Sequence, residues 1–283
     1  MLKTIDPLFP LGLPTLCFVH LDDGPSPSAM AASDDRGNKV VIDEQPHPVE
    51  RTFDSRLDKE DHIFQEILEV GREDSRHPVP LHNFVEDSVS VCFILAGTST
   101  SNKRMLYQGP DDSDESIGLV GWVFRPIFQH LREKSVKMQG FYEFEVTVSF
   151  YEIYDECITD LLQPENQGLK VKLHPLRGFE VEGLSRMSIK SPGDGVKTVS
   201  IGKRNRKTQV MPSGPAQESA SSVLIVHLTQ REGESPKHYT HLHSELVLVE
   251  APSTHRLISS PDDLRLKQGP TLNRSLLAFK DVS

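Results

Sequence analysis

The 283-residue chain has 36% hydrophobic and 25% charged residues, the balance of a soluble globular protein with room for one α/β domain or two smaller ones. Its 41 acidic against 31 basic residues leave a formal charge of −10, which argues against wholesale nucleic-acid binding. No run of about 18 apolar residues occurs, so no membrane-spanning helix is expected.

The opening stretch MLKTIDPLFPLGLPTLCFVHLDDG is apolar, but prolines 7, 10 and 14 interrupt it and no basic segment precedes it, so it does not read as a secretory signal. Cys17, Cys92 and Cys157 are far apart and odd in number, which reads as buried thiols. Residues 22–50 are rich in Asp, Pro, Ser and Gly and read as a mobile loop with one short strand, Lys39–Asp43. Thr52, Phe53 and Asp54 read as a strand end. Asp58 or Asp61 caps a helix with Ile63, Phe64, Ile67 and Leu68 on its apolar face. Residues 88–96, SVSVCFILA, form the unbroken apolar run of a strand buried on both faces.

Residues 117–133 have helical spacing, with Ile117, Val120, Val123, Phe124, Ile127, Phe128 and Leu131 on one side. Phe144–Tyr151 alternates as a strand, and Asp155–Leu162 is expected to be a short helix. Residues 169–190 read as paired short strands. The run Lys203, Arg204, Asn205, Arg206, Lys207 is the strongest basic cluster and reads as a solvated loop or helix end, or else as a small partner-binding patch. Ser222–Gln230 and Ser244–Glu250 are two further strands. Strands alternating with helices imply an α/β fold, a central mixed β-sheet with helices on both faces.

A phosphate-binding loop has the form G-x-x-x-x-G-K-[ST] between a strand and a helix; its backbone N–H groups and lysine hold phosphates, and its hydroxyl holds Mg²⁺. After the strand SVCFILA comes Gly97, Thr98, Ser99, Thr100, Ser101, Asn102, Lys103, Arg104. The first glycine and the lysine are present. Thr100 and Asn102 stand at the inner glycines, and Arg104 stands where the hydroxyl belongs. Asn tolerates positive φ, whereas an Arg guanidinium carries no metal ligand.

Two segments, TVSFYEIYDECITDLL at 147–162 and LRLKQGPTLNRSLLAFK at 264–280, resemble the kinesin motor domain closely, and residues 51–70 and 169–190 resemble it too. The resemblance runs over residues 39–280. It divides the chain into an N-terminal extension, 1–38, and a motor-like domain, 39–283, of the kinesin P-loop NTPase fold, incomplete at the C-terminus. It implies ATP with Mg²⁺ as cofactor, at Gly97 to Arg104. It implies microtubules (tubulin) as partner, in the cytoplasm and on the cytoskeleton, with Lys267, Asn273, Arg274 and Lys280 as contacts. No dimerising heptads are present, so no coiled coil is expected.

At the family's first switch this chain has Gln217, Glu218, Ser219, Ala220 and Ser221, with neither Arg nor His. At the second switch, Glu250 keeps a carboxylate at the Mg²⁺ position and is the one catalytic candidate. Ser253 replaces the glycine that meets the last phosphate, and His255 replaces the glutamate that pairs with the missing arginine. At the adenine side Asp22 and Asp23 follow His20. Phosphoryl transfer rests on positioning and electrostatics, so the expected function is a microtubule-binding, kinesin-like domain with weak or absent ATP hydrolysis. The alternatives are an active ATP-dependent motor, or a scaffold for partners other than tubulin.

Overall fold

The structure is a computed structural model that describes residues 18–20, 30–32, 39–42, 49–52, 55–57, 80–96, 103–109, 118–154, 156–174, 178–208 and 220–252. The chain divides into two compact units, residues 1–70 together with 278–283, and residues 71–277.

In the first unit β1 (Phe18–His20) pairs in parallel with β5 (Ser55–Leu57), and β2 (Met30–Ala32), β3 (Lys39–Ile42) and β4 (Val49–Thr52) form an antiparallel meander. The expected strand at residue 39 is there. Its β-branched Val40, Val41 and Ile42 recruit a partner on each side, so the region 22–50 carries more than the one strand anticipated. The helix expected after Asp58 lies outside the described residues.

The second unit is built on a six-stranded mixed sheet. Its path runs β11 (Met187–Ile189), β7 (Phe141–Tyr154), β12 (Ser221–Ser235), β13 (His238–Glu250), β6 (Val91–Leu95), and β8 (Cys157–Asp160) pairs with β7. Every pairing is antiparallel except β13 with β6. A separate hairpin joins β9 (Val171–His174) to β10 (Gly178–Val181).

Alternation along the strands decides where the core lies. Val146, Val148 and Phe150, then Leu224, Val226 and Leu228, then Leu246 and Leu248 are buried on one face. The helices α1 (Pro80–Glu86), α2 (Lys103–Gln108), α3 (Gly118–Trp122), α4 (Phe124–Lys137) and α5 (Pro192–Thr208) cover that face. Val120, Val123, Phe124, Ile127, Phe128 and Leu131 are all buried, as their spacing predicts. The stretch is two helices, broken at Val123. Pro126 falls in the first turn of α4, where a missing N–H costs no helical bond. Helix α5 lies so close to the sheet that a Cβ at Gly202 would stand 2.1 Å from the Phe150 ring.

Three expectations fail. Residues 157–160 are a strand, not part of a helix: Glu156 adopts φ 63°, and the chain reverses so that Cys157 pairs with Tyr154. The spacing of Ile158, Leu161 and Leu162 mimics a helix, but Asp160 ends the strand by accepting hydrogen bonds from the N–H groups of Leu162 (2.8 Å) and Gln163 (3.2 Å). Cys92 and Cys157 are exposed thiols rather than buried ones. Strand β6 is also not sealed on both faces: Cys92 is exposed and its neighbours are half-buried, because among the described strands β6 sits at the sheet edge with β13 as its sole partner. Among the described residues, no helix is long and apolar enough to cross a membrane.

Candidate nucleotide edge

The parallel pair β6–β13 fixes where a ligand edge can form. Val91 to Leu95 run in register with Leu246 to Glu250, and the N–H of Ala251 donates to the carbonyl of Leu95 (2.9 Å). Both carboxyl ends therefore meet at one rim of the sheet, the place where open α/β sheets bind ligands. From this rim one chain segment leads through residue 97 to α2, and the other leads on from Glu250.

Lys103 opens α2 and is buried at the rim, and its ammonium donates to the carbonyl of Ala251 at 2.6 Å. One turn later the hydroxyl of the fully buried Tyr107 shares its one proton between the carbonyls of Leu248 (2.9 Å) and Ser222 (3.2 Å), which clamps α2 over β12 and β13. Burial pushes the Tyr107 phenol well above its ordinary range, so it stays a neutral donor.

The centre of the rim is Arg206, near the end of α5. It is only 1% exposed. Nη1 donates to Oε2 of Glu250 at 2.6 Å and to Oε1 of Gln108 at 3.0 Å, and Nε donates to Oε2 of Glu152 at 3.1 Å. Residues from α2, β7 and β13 thus converge on one guanidinium carried by α5. Burial alone works against its charge, but Glu250 and then Glu152 outweigh burial and hold it more firmly protonated than usual. The Glu152 pKa is raised too, which for a carboxylate disfavours the charge. Burial raises its pKa, and the Arg206 charge opposes that rise.

The sequence-derived site residues fare unevenly. Gly97, Thr98, Ser99, Thr100, Ser101 and Asn102 lie outside the described residues, as do Lys267, Asn273, Arg274 and Lys280. Lys103, Arg104 and Glu250 are described, and Lys103 and Glu250 meet at the same rim. Glu250 is 3% exposed and gives Oε2 to Arg206, whereas the sequence reading left it open to a cation.

The reading of 203–207 as a solvated or partner-binding patch is corrected. Lys203 (3% exposed) and Arg206 are buried, because residues three apart share a helical face and this face meets the sheet. Of the run, Arg204 is exposed. Sequence reasoning missed Gln108, Glu152 and Arg206. The usable signal was Glu152, a charge at an inward position of an apolar strand, which requires a buried cation nearby.

A Mg²⁺ ion needs hard oxygen ligands. At the two positions that would supply them, Arg104 has none and Glu250 is bonded to a guanidinium, so this donor set does not fit the metal as it stands. Lys103 does fit a phosphate by charge, and its hydrogen bond to Ala251 occupies a donor that a phosphate oxygen would otherwise take.

A strand leading into a lysine-headed helix, at the rim of a mixed sheet beside a carboxylate-ended strand, is the frame of a nucleoside-triphosphate-binding fold. The chain matches the family model of the kinesin motor domain over residues 30–283 and belongs to that family. It is 26% identical over 205 residues to human kinesin-like protein KIF1B, covering 71% of this chain and 11% of that protein. It is 27% identical over 193 residues to the kinesin-like protein unc-104 of Caenorhabditis elegans, covering 67% of this chain and 12% of that protein. The chain thus spans about a tenth of the length of these relatives. Among solved structures, a fast kinesin aligns over 83% of this chain and 63% of its own, with a TM-score of 0.66 and 19% identity, a likeness of fold.

Proposed function

We propose that this chain is a microtubule-binding, kinesin-type domain of the cytoplasmic cytoskeleton in which ATP hydrolysis is weak or absent. The observation that carries the reading is the Arg206 cluster. The carboxylate at the family's Mg²⁺ position is engaged by a buried guanidinium, which a second carboxylate and an amide also hold. A metal ion at Glu250 has to displace that cation first, and a buried ion pair resists losing one partner. Arg104 and the switch positions 219, 253 and 255 support the same reading, since each lacks the group that phosphoryl transfer uses.

Microtubule binding rests on family membership and on the basic residues Lys267, Arg274 and Lys280, with Asn273 beside them. The β9–β10 hairpin adds to it. Val171, Leu173 and Phe179 stand 55%, 67% and 73% exposed, and the resemblance of residues 169–190 to the kinesin motor domain implies that this hairpin faces tubulin. Nucleotide binding without turnover is a second role for the rim, favoured by the position of Lys103.

Phosphate release with and without microtubules, together with co-sedimentation, tests the reading. The expected result is sedimentation with microtubules, no stimulated phosphate release, and unchanged sedimentation for Lys103→Ala. Glutamate at positions 267, 274 and 280 weakens sedimentation, most clearly at low salt. Magnesium-dependent turnover that rises with microtubules overturns the reading in favour of an active motor. Absence of sedimentation in any nucleotide state favours a scaffold for other partners.

A further inference from the structure

A second polar cluster lies on the other face of the sheet, five residues along β13 from Glu250. His227 of β12 stands opposite Glu245 of β13, and His243 lies two residues from Glu245 on the same face. One ligand atom from each residue falls within 4.8 Å of the other two. His227 Nδ1 is 2.9 Å and His243 Nε2 is 3.4 Å from the same oxygen, Oε1 of Glu245. The two imidazoles are stacked, 6.4 Å apart.

The outer nitrogens are as ordered as the inner ones. His227 Nε2 lies 3.2 Å from the hydroxyl of Ser149, and His243 Nδ1 lies 3.4 Å from the hydroxyl of Thr229. Ser149 has one proton, and the carbonyl of Ser185, 2.8 Å away, can only accept it. The Ser149 oxygen is then an acceptor toward His227, so Nε2 carries the ring hydrogen. In a neutral ring this leaves the Nδ1 lone pair facing a carboxylate oxygen at hydrogen-bond distance. Two acceptors in that arrangement call for a cation between them, either a proton or a metal.

We propose that His227, His243 and Glu245 form a binding site for a zinc-class dication, separate from the nucleotide edge. Two imidazoles and one carboxylate are a zinc donor set, and they leave one position of a tetrahedron for water. His243 and Glu245 are 40% and 35% exposed at the side chain, so an ion and its water have access, while His227 at 5% anchors the set. Hydroxyls bonded to the far nitrogens fix the ring orientation, as the second layer of a metal site does. The same residues also resemble a serine–histidine–carboxylate array. Ser149 is 1% exposed with its proton bound to Ser185, which leaves no approach for an acyl group, so that chemistry is set aside.

The test uses the full chain, stripped with a chelator and titrated with Zn²⁺ against a competing indicator, with Co²⁺ as the spectroscopic probe. The parent, His243→Ala, Glu245→Gln and Ser149→Ala are compared. The parent takes up one equivalent more tightly than the rest and melts at higher temperature with zinc. His243→Ala and Glu245→Gln, both at partly exposed positions, weaken that equivalent at least about tenfold and lose the four-coordinate Co²⁺ absorption, while Ser149→Ala weakens it by about 10- to 100-fold. Equal zinc uptake by the parent and both ligand variants overturns the site, as does no uptake by the folded parent. Neither outcome touches ATP turnover, so this proposal and the preceding one fail independently.

Discussion

The two ends of helix α5 carry charge in opposite settings. At its start, Ser191 accepts from the N–H of Asp194 at 3.2 Å, and the Asp194 carboxylate accepts from the N–H of Lys190 at 3.1 Å, within reach of solvent. Near its finish, Arg206 is shut between α2, β7 and β13. The signs agree with the helix dipole at both ends, acid first and base last. The settings differ in what a lost partner costs. Water takes up whatever the first end releases, and nothing replaces what the second end loses. Burial, and not the number of hydrogen bonds, separates an architectural ion pair from a capping motif.

The sharpest way to break this contrast is Arg206→Met. It strands Glu152 and Glu250 without their cation, and the expected loss is about 3–5 kcal/mol in denaturant unfolding. Replacing Glu152, Arg206 and Glu250 together by apolar residues of similar size should recover most of that loss, since whole buried ionic clusters exchange for packed side chains at little cost. A loss below about 1 kcal/mol for the single change, the range of an exposed pair, would mean that water reaches the cluster.

The next largest effect tests how closely α5 meets the sheet. Gly202→Ala drives a methyl into the Phe150 ring, and overpacking of this kind costs about 1–3 kcal/mol even though alanine is the better helix former. Gly193→Ala is the control: beyond the adjoining backbone, the new methyl's nearest neighbour is the Ser191 hydroxyl at 3.8 Å, so it should be neutral or slightly stabilising. Equal midpoints for the two variants in thermal melts would show that the helix shifts away to make room.

Much of this geometry was legible beforehand, and what was hidden has physical reasons. The apolar spacing of Val120 to Leu131 marked the inner face of α3 and α4 because helical period and burial coincide there. The rim was legible too, since an apolar strand leading to Gly97 and Lys103, and another ending at Glu250, identify two strand ends. Their adjacency became visible once β6 and β13 paired in register. The role of Arg206 was not legible. Five consecutive polar residues look solvated in a line of text, although a helix sorts them onto different faces, and its partners Glu152 and Glu250 lie 54 and 44 positions away. Strand β8 was misread because Ile158 and Leu161 satisfy a helical period as well as a hairpin.

At the open end the expected effects are smaller. Ser191→Ala removes the acceptor for the N–H of Asp194, and the loss should be about 1 kcal/mol, the usual worth of such a cap. Pro192, in the first helical position, keeps its fixed φ in the variant, which limits fraying.

The smallest effect is also the most specific, because its sign is fixed by the direction of one pKa. Hydrogen bonds from Ser191 and then from the Lys190 N–H hold the Asp194 carboxyl below its ordinary value. The folded state therefore prefers the carboxylate, and this contribution is complete above the unfolded value, near pH 4. It disappears as pH falls through the lower folded value. Asp194→Asn keeps the shape of the side chain and removes the titration. The gap in unfolding midpoint between parent and variant should stay constant from about pH 7 to pH 5 and close below about pH 4. Arg206 offers no such window, since its charge persists throughout that range. A gap that widens in acid, or one that is flat to pH 3, would show that the Asp194 carboxylate does not serve the helix start in solution.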